Sequence, residues 1–170
     1  MKPAPFEYKA PGTLGEAVDY LVQGAGEAKI LAGGQSLLPL MNMRLAQPEV
    51  LVDICRIPGL DGIESNGSLT IGATARQIAI RRSGEVNTFA PLIGQAMPYV
   101  GHVATQSRGT FGGIVAHADP AAELPAILVA LEAEMIAQGH DGVRTIAAKD
   151  FFASFFTTAL GPTEILTHVR

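Results

Sequence analysis

The chain has 170 residues, a net charge of −4, 48% hydrophobic and 16% charged residues. That composition excludes a disordered chain and allows one large domain or two small ones with a real core. The basic residues are scattered, with Arg81-Arg82 the only adjacent pair, and the basic stripe of a nucleic-acid reader is missing.

In chain order, Thr13-Leu-Gly-Glu16 reads as a capping box opening a helix whose apolar stripe is Ala17, Val18, Leu21 and Val22. Gly24 and Gly26 end it. Lys29–Ala32 is a short strand, Leu37–Leu45 is helical after Pro39, and Val50–Ile54 is a further strand. Residues 5–55 therefore read as β-α-β-α-β, a small parallel unit. Beyond it, Ser65-Asn66-Gly67-Ser68 is a hairpin turn between two short strands, Gly62–Glu64 and Leu69–Gly72. Thr74-Ala-Arg-Gln77 reads as a second capping box, with a helix to about Arg81. Phe89–Val100 is read as one helix with Pro91 near its start, and Glu123–Glu132 as another with Pro125 in its first turn. Glu134–Gln138 and Val143–Ala147 flank the turn Gly-His-Asp-Gly, and Ile165–Val169 is a last strand. The second half is α+β with antiparallel pairs. The boundary falls between 1–57 and 58–170. A strand running to Arg170 is expected to be followed by further residues.

Cys55 is the only cysteine, so this chain alone builds no disulfide and no cysteine-held iron–sulfur or zinc site. The opening MKPAPFEYKA lacks an apolar signal core, and Leu124–Leu131 is too short to span a membrane. A cytoplasmic location is expected. The histidines 102, 117, 140 and 168 show no metal-ligand spacing, and no Gly-x-Ser-x-Gly supports a hydrolase. His117 and Asp119 are read as turn residues. Phe151, Phe152, Phe155 and Phe156 are read as core, or as a protein interface if exposed.

Two glycine pairs stand out: Gly33-Gly34 after a strand, and Gly112-Gly113 in Ser107-Arg-Gly-Thr-Phe-Gly-Gly-Ile114. Taken singly, such a pair more often marks a turn or tight packing. Together, with Ser36 and Thr110 beside them, they offer backbone amides from two loops to a diphosphate. Neither a Walker loop nor Gly-x-Gly-x-x-Gly is present.

The segments Ala-Gly-Gly-Gln-Ser-Leu-Leu-Pro-Leu-Met-Asn-Met-Arg-Leu, Leu-Val-Asp-Ile and Arg-Gly-Thr-Phe-Gly-Gly-Ile-Val-Ala-His-Ala-Asp-Pro-Ala-Ala-Glu-Leu-Pro resemble the FAD-binding medium subunit of molybdenum hydroxylases, the carbon monoxide and xanthine dehydrogenase type. So does the opening Phe-Glu-Tyr-x-x-Pro-x-x-Leu-x-Glu-Ala. The resemblance covers essentially the whole chain. It implies a vanillyl-alcohol-oxidase-like FAD-binding fold, with a small parallel βαβαβ lobe and an antiparallel sheet lobe with helices. By the same resemblance Lys29, Ile30, Leu31, Ala32, Gly33, Gly34, Gln35, Ser36 and Leu37 line the FAD diphosphate. Thr110, Gly112, Gly113 and Ile114 form a second loop, where many members carry Asn, Asp or Ser in place of Ile114. Glu123 matches an acidic residue at the adenosine portion, and Val100 and Leu166 match apolar positions on the flavin or ribityl side. The implied role is electron transfer without a catalytic side chain. Electrons come from [2Fe–2S] clusters of a small subunit, beside a large molybdopterin subunit, in a dimer of heterotrimers. Medium subunits of the family usually carry roughly another hundred residues as a C-terminal domain, which is expected to be absent from this sequence. Two other readings are a stand-alone FAD-dependent oxidoreductase and a non-catalytic assembly subunit.

Overall fold

The computed structural model describes residues 2–170. The chain runs β1 (Glu7–Lys9), α1 (Leu14–Gln23), β2 (Ala28–Leu31), α2 (Leu37–Asn42) and β3 (Val50–Asp53), then β4 (Ile63–Ser65) and β5 (Leu69–Gly72). Six helices follow: α3 (Gln77–Arg82), α4 (Gly84–Phe89), α5 (Pro91–Ala96), α6 (Val103–Gln106), α7 (Phe111–His117) and α8 (Glu123–Ala130). The remainder is β6 (Glu134–Gly139), β7 (Gly142–Ala147), α9 (Ala148–Phe151), β8 (Phe152–Ser154), β9 (Thr157–Thr158) and β10 (Ile165–Val169).

The first five elements form the expected parallel unit, with strand order β1-β3-β2. Glu7 pairs with Val50 and Leu31 with Asp53, which places the buried Leu51 and Val52 on the central strand. Helix α1 starts where the sequence puts it. Thr13 Oγ1 accepts from the Glu16 amide at 3.2 Å, and the Glu16 carboxylate accepts from the Thr13 amide at 3.2 Å. Its buried face is Ala17, Val18 and Leu21. A Cβ on Gly24 would lie 2.5 Å from the Ala28 Cβ, so only glycine lets the chain fold straight back into β2. Helix α2 begins at Leu37 and so includes Pro39, whereas the sequence reading started the helix after it. Pro39 sits in its first turn, where the missing N–H removes no helical bond.

The second sheet is antiparallel in the order β4-β5-β10-β6-β7. β10 is its middle strand, and all its residues except His168 are buried. Two apolar cores result. The larger lies beneath this sheet around Phe111, Phe151, Leu124, Leu128 and Met135. The smaller gathers Ala17, Val18, Leu21, Val52 and Leu60, and Ile165 at the start of β10 reaches into it. One strand thus belongs to both halves.

Three local expectations need correction. Thr74 caps nothing: α3 starts at Gln77, with Arg76 at the cap and no side-chain bond. The Thr74 amide donates to Leu60 O and Ala73 donates to Thr167 O, so the chain stays extended after β5. Second, Phe89–Val100 is not one helix. Pro91 excludes helical geometry at Ala90, which takes φ −137°, ψ 64° and separates α4 from α5. Third, Gly112 and Gly113 are in the first turn of α7 and not in a loop.

The four phenylalanines divide. Phe151 is fully buried and Phe152 half-buried, whereas Phe155 and Phe156 are 75% and 59% exposed. The stretch between β9 and β10 is tied down by Glu164. Its carboxylate accepts from Arg144 at 2.6 Å through both oxygens and from the Gly161 amide at 2.6 Å, while Arg144 also donates to Ala159 O. The bond to Arg144 holds the Glu164 carboxyl below its ordinary value of 4.5.

Phe151→Ala should destabilise the chain by about 3–5 kcal/mol in chemical denaturation, and Phe155→Ala by less than about 0.5 kcal/mol. Because the Glu164 pKa is lowered on folding, its contribution is present above pH 4.5 and fades as pH falls through the lowered value. The Tm gap between wild type and Glu164→Gln should therefore be widest above about pH 5 and close on acidification.

Candidate functional site

Strand β2 delivers the chain to Gly33 and Gly34. Gly34 takes φ +69°, the left-handed region in which glycine carries no Cβ penalty. Gly33 is required for a different reason. A Cβ there would lie 2.6 Å from Arg108 O, 2.7 Å from Gly109 Cα and 2.8 Å from the Thr110 amide nitrogen. Gly33 is therefore pressed, backbone to backbone, against the stretch that leads into the second pair.

The turn leaves donors unused. Among the described residues, the amides of Gly33, Gly34, Gln35, Ser36 and Leu37 have no acceptor in the protein, and the first later bond is Leu38 N to Gly34 O at 3.2 Å. Successive free N–H groups in a turn of this kind can form a concave anion site. Behind the turn, Cys55 donates its thiol to Ala32 O at 3.2 Å, and Arg76 reaches both the Cys55 sulfur and Arg108 O. Burial pushes the Cys55 thiol pKa up, which keeps it a protonated donor.

The second glycine pair works differently from the first. Phe111 N donates to Ala75 O, Gly112 N to Ala73 O at 2.8 Å, Gly113 N to Thr110 Oγ1 at 3.1 Å and Ile114 N to Thr110 O at 3.3 Å. These amides are already committed, so the expected nest from two loops comes from one. Gly112 is there for packing, since a Cβ would meet the Ala73 Cβ at 2.4 Å. The buried Thr110 hydroxyl, an acceptor toward Gly113, keeps its own hydrogen to donate.

Both stretches face one cleft of about 580 Å³. Lys29, Ile30, Ala32, Gly33, Gly34, Gln35, Ser36, Leu37, Val100, Thr110, Gly112, Gly113, Ile114, Glu123 and Leu166 all line it. Leu31 does not; its side chain backs the Gly34 turn, 3.4 Å from where a Cβ would stand. Ile114 packs partly into the larger core and offers the cleft an apolar wall. The sequence reading missed Thr105, Phe156 and the stretch Leu160–Glu164, which arrive from distant parts of the chain. His117 ends α7 in the cleft wall, whereas Asp119 takes the expected turn role, accepting from Ala121 N at 2.8 Å.

Lys29 is the one lysine or arginine on the wall, and Glu164 is neutralised by Arg144. The cleft thus combines a run of neutral donors, one cation in Lys29, the Glu123 carboxylate and long apolar walls. Among the described residues no cluster of His, Cys, Asp or Glu is built to hold a metal, and no helix is long and apolar enough to cross a membrane. An extended ligand with a diphosphate centre and ring systems at its ends fits that donor set.

Comparison with known proteins agrees with this chemistry. The family described as FAD binding domain in molybdopterin dehydrogenase matches residues 4–170. The chain is 42% identical to the carbon monoxide dehydrogenase medium chain of Hydrogenophaga pseudoflava, over all of this chain and 60% of that one. It is 41% identical to the 6-hydroxypseudooxynicotine dehydrogenase complex subunit alpha of Paenarthrobacter nicotinovorans, over all of this chain and 58% of that one. It therefore spans about three fifths of the length of these relatives. The solved carbon monoxide dehydrogenase from H. pseudoflava, in a form lacking the Mo-pyranopterin moiety, superposes with a TM-score of 0.97 at 42% identity, covering 99% of this chain and 59% of that one. Quinoline 2-oxidoreductase from Pseudomonas putida 86 gives 0.95 at 38% identity, with the same coverage. With one fold, one uninterrupted match and a cleft whose donors suit a dinucleotide, the chain belongs to the FAD-binding domain family of molybdopterin dehydrogenases.

Proposed function

We propose that this chain is the FAD-holding part of an electron-transfer subunit of a molybdenum hydroxylase. Electrons from [2Fe–2S] clusters on a small partner subunit, beside a large molybdopterin subunit, reach an external acceptor by way of the flavin. The observation that carries the reading is the run of unpaired amides from Gly33 to Leu37 on the cleft. FAD, when bound, supplies the redox chemistry, and the protein supplies binding, orientation and electrostatics.

On this reading the diphosphate rests on the Gly33–Leu37 amides, with the Ser36 and Thr110 hydroxyls as further donors and Lys29 as the nearby cation. Leu31 acts from behind by supporting the turn. Gly112 and Gly113 bring α7 close without giving up their amides, and Ile114, Val100 and Leu166 exclude water from the apolar parts of the ligand. Glu123 is placed to accept from ligand hydroxyls. The lobes of the site are 1–57 and 58–170, and no side chain acts as acid or base. The names of the relatives, a medium chain and a complex subunit, support a multi-subunit assembly. A dimer of heterotrimers in the cytoplasm is part of the same reading.

Titration of the purified chain with FAD, followed by flavin fluorescence and visible spectrum, tests it. Saturable one-to-one binding is expected; its absence from a folded chain would remove the reading. Gly33→Ala should weaken FAD binding by at least about tenfold, because a Cβ at 2.6–2.8 Å from three backbone atoms must push the loop off the Arg108–Thr110 stretch. Lys29→Gln should weaken it by only about fivefold and flatten its salt dependence, as for one exposed charge.

A further inference from the structure

Phe156 has an unusual combination of properties. It is a large apolar side chain that is 59% exposed, yet its backbone is held at φ +54°, a region that bulky residues seldom occupy. The hold is specific. Phe156 N donates to Ala118 O at 2.9 Å, and Ala118 is itself left-handed, at φ 49°, where α7 ends. Two strained residues thus lock the turn between β8 and β9 onto the end of α7. The outcome is that the Phe156 ring lies 5.2 Å from the His117 ring, tilted by 51°, with both residues on the cleft wall. Its neighbour Phe155 is more exposed still and does not line the cleft.

Strained backbone persists only where surrounding structure imposes it, and it concentrates at ligand clamps. The two-residue turn between β8 and β9 accounts for the positive φ, but burial does not account for a large apolar ring there. The distance is informative. Helix α7 has seven residues, so about 10 Å separates the Thr110 end from the His117 end. That is the scale of a ribose or ribityl arm between a diphosphate and a ring.

We propose that Phe156, backed by His117, is a stacking platform for one of the two ring systems of the dinucleotide. This rests on the FAD reading above. Phe156 is a positioning residue: it fixes a planar heteroaromatic ring at the α7 C-terminal end of the cleft, while the Gly33–Leu37 amides fix the phosphates. The ligand is then clamped at two points, one polar and one aromatic.

The test is equilibrium titration of wild type, Phe156→Ala, Phe156→Tyr and Phe155→Ala with FAD, and separately with FMN and with ADP. Far-UV circular dichroism confirms the fold of each variant. Alanine keeps the Cβ, so the backbone demand at this position is unchanged. Phe156→Ala should weaken FAD about tenfold, as loss of one aromatic stack does, and Phe156→Tyr and Phe155→Ala should stay within twofold of wild type. The same Phe156→Ala loss should appear with FMN or with ADP but not both, which identifies the ring. A folded Phe156→Ala with wild-type FAD affinity overturns the platform while leaving the FAD reading intact. Equal weakening of FMN and ADP also overturns it, since a general loosening of the cleft is then responsible. Wild type that binds no FAD refutes the FAD reading, and the platform with it.

Discussion

The site depends on one close approach. Gly33 touches the backbone of Arg108, Gly109 and Thr110 at distances that leave no room for a side chain. Gly33 follows the edge strand β2 of the parallel unit, and the stretch it meets leads directly into α7. Gly112 repeats the device a few residues on, against Ala73. Without the first contact the amide run would not be held facing the Thr110 hydroxyl.

The contact is braced from beneath. Arg76 spans from the Cys55 sulfur to the Arg108 carbonyl, and Cys55 in turn donates to Ala32. The side chains of Cys55 and Arg76 therefore tie the backbone carbonyls of Ala32 and Arg108 together behind the turn. β10 does the same on a larger scale, since Ile165 packs in the smaller core while Leu166 and Val169 pack in the larger. The cleft walls are thus fixed by shared packing between the two cores.

The charge arrangement follows the same economy. A cleft with one lysine and a run of neutral donors can hold a dianion through geometry, since converging N–H dipoles act where water is excluded. Glu164 would oppose this, but its pairing with Arg144 and Gly161 turns it into a structural anchor for the stretch before β10.

Local rules carried most of the elements. The capping box at Thr13, the Gly-His-Asp-Gly turn between β6 and β7 and the turn between β4 and β5 depend on neighbours in sequence, and they appear where the pattern puts them. The same rules failed at Thr74, where a capping pattern is overridden because Leu60 and Thr167 claim the backbone. Pro91 broke a helix that apolar content alone would extend. All but Leu31 of the residues named from the sequence line one cleft, both glycine pairs among them. What the two pairs do differs, because only long-range contacts determine which amides find acceptors: those of Gly33–Leu37 find none, while those of Gly112 and Gly113 are taken by Ala73 and Thr110. Phe155 and Phe156 are indistinguishable as letters. Composition, spacing and motif thus determined the family and the loop, because they are encoded over a few residues. Which donors stay free, and which ring faces the cleft, were decided by tertiary structure, because both depend on backbone contacts between segments far apart in the chain.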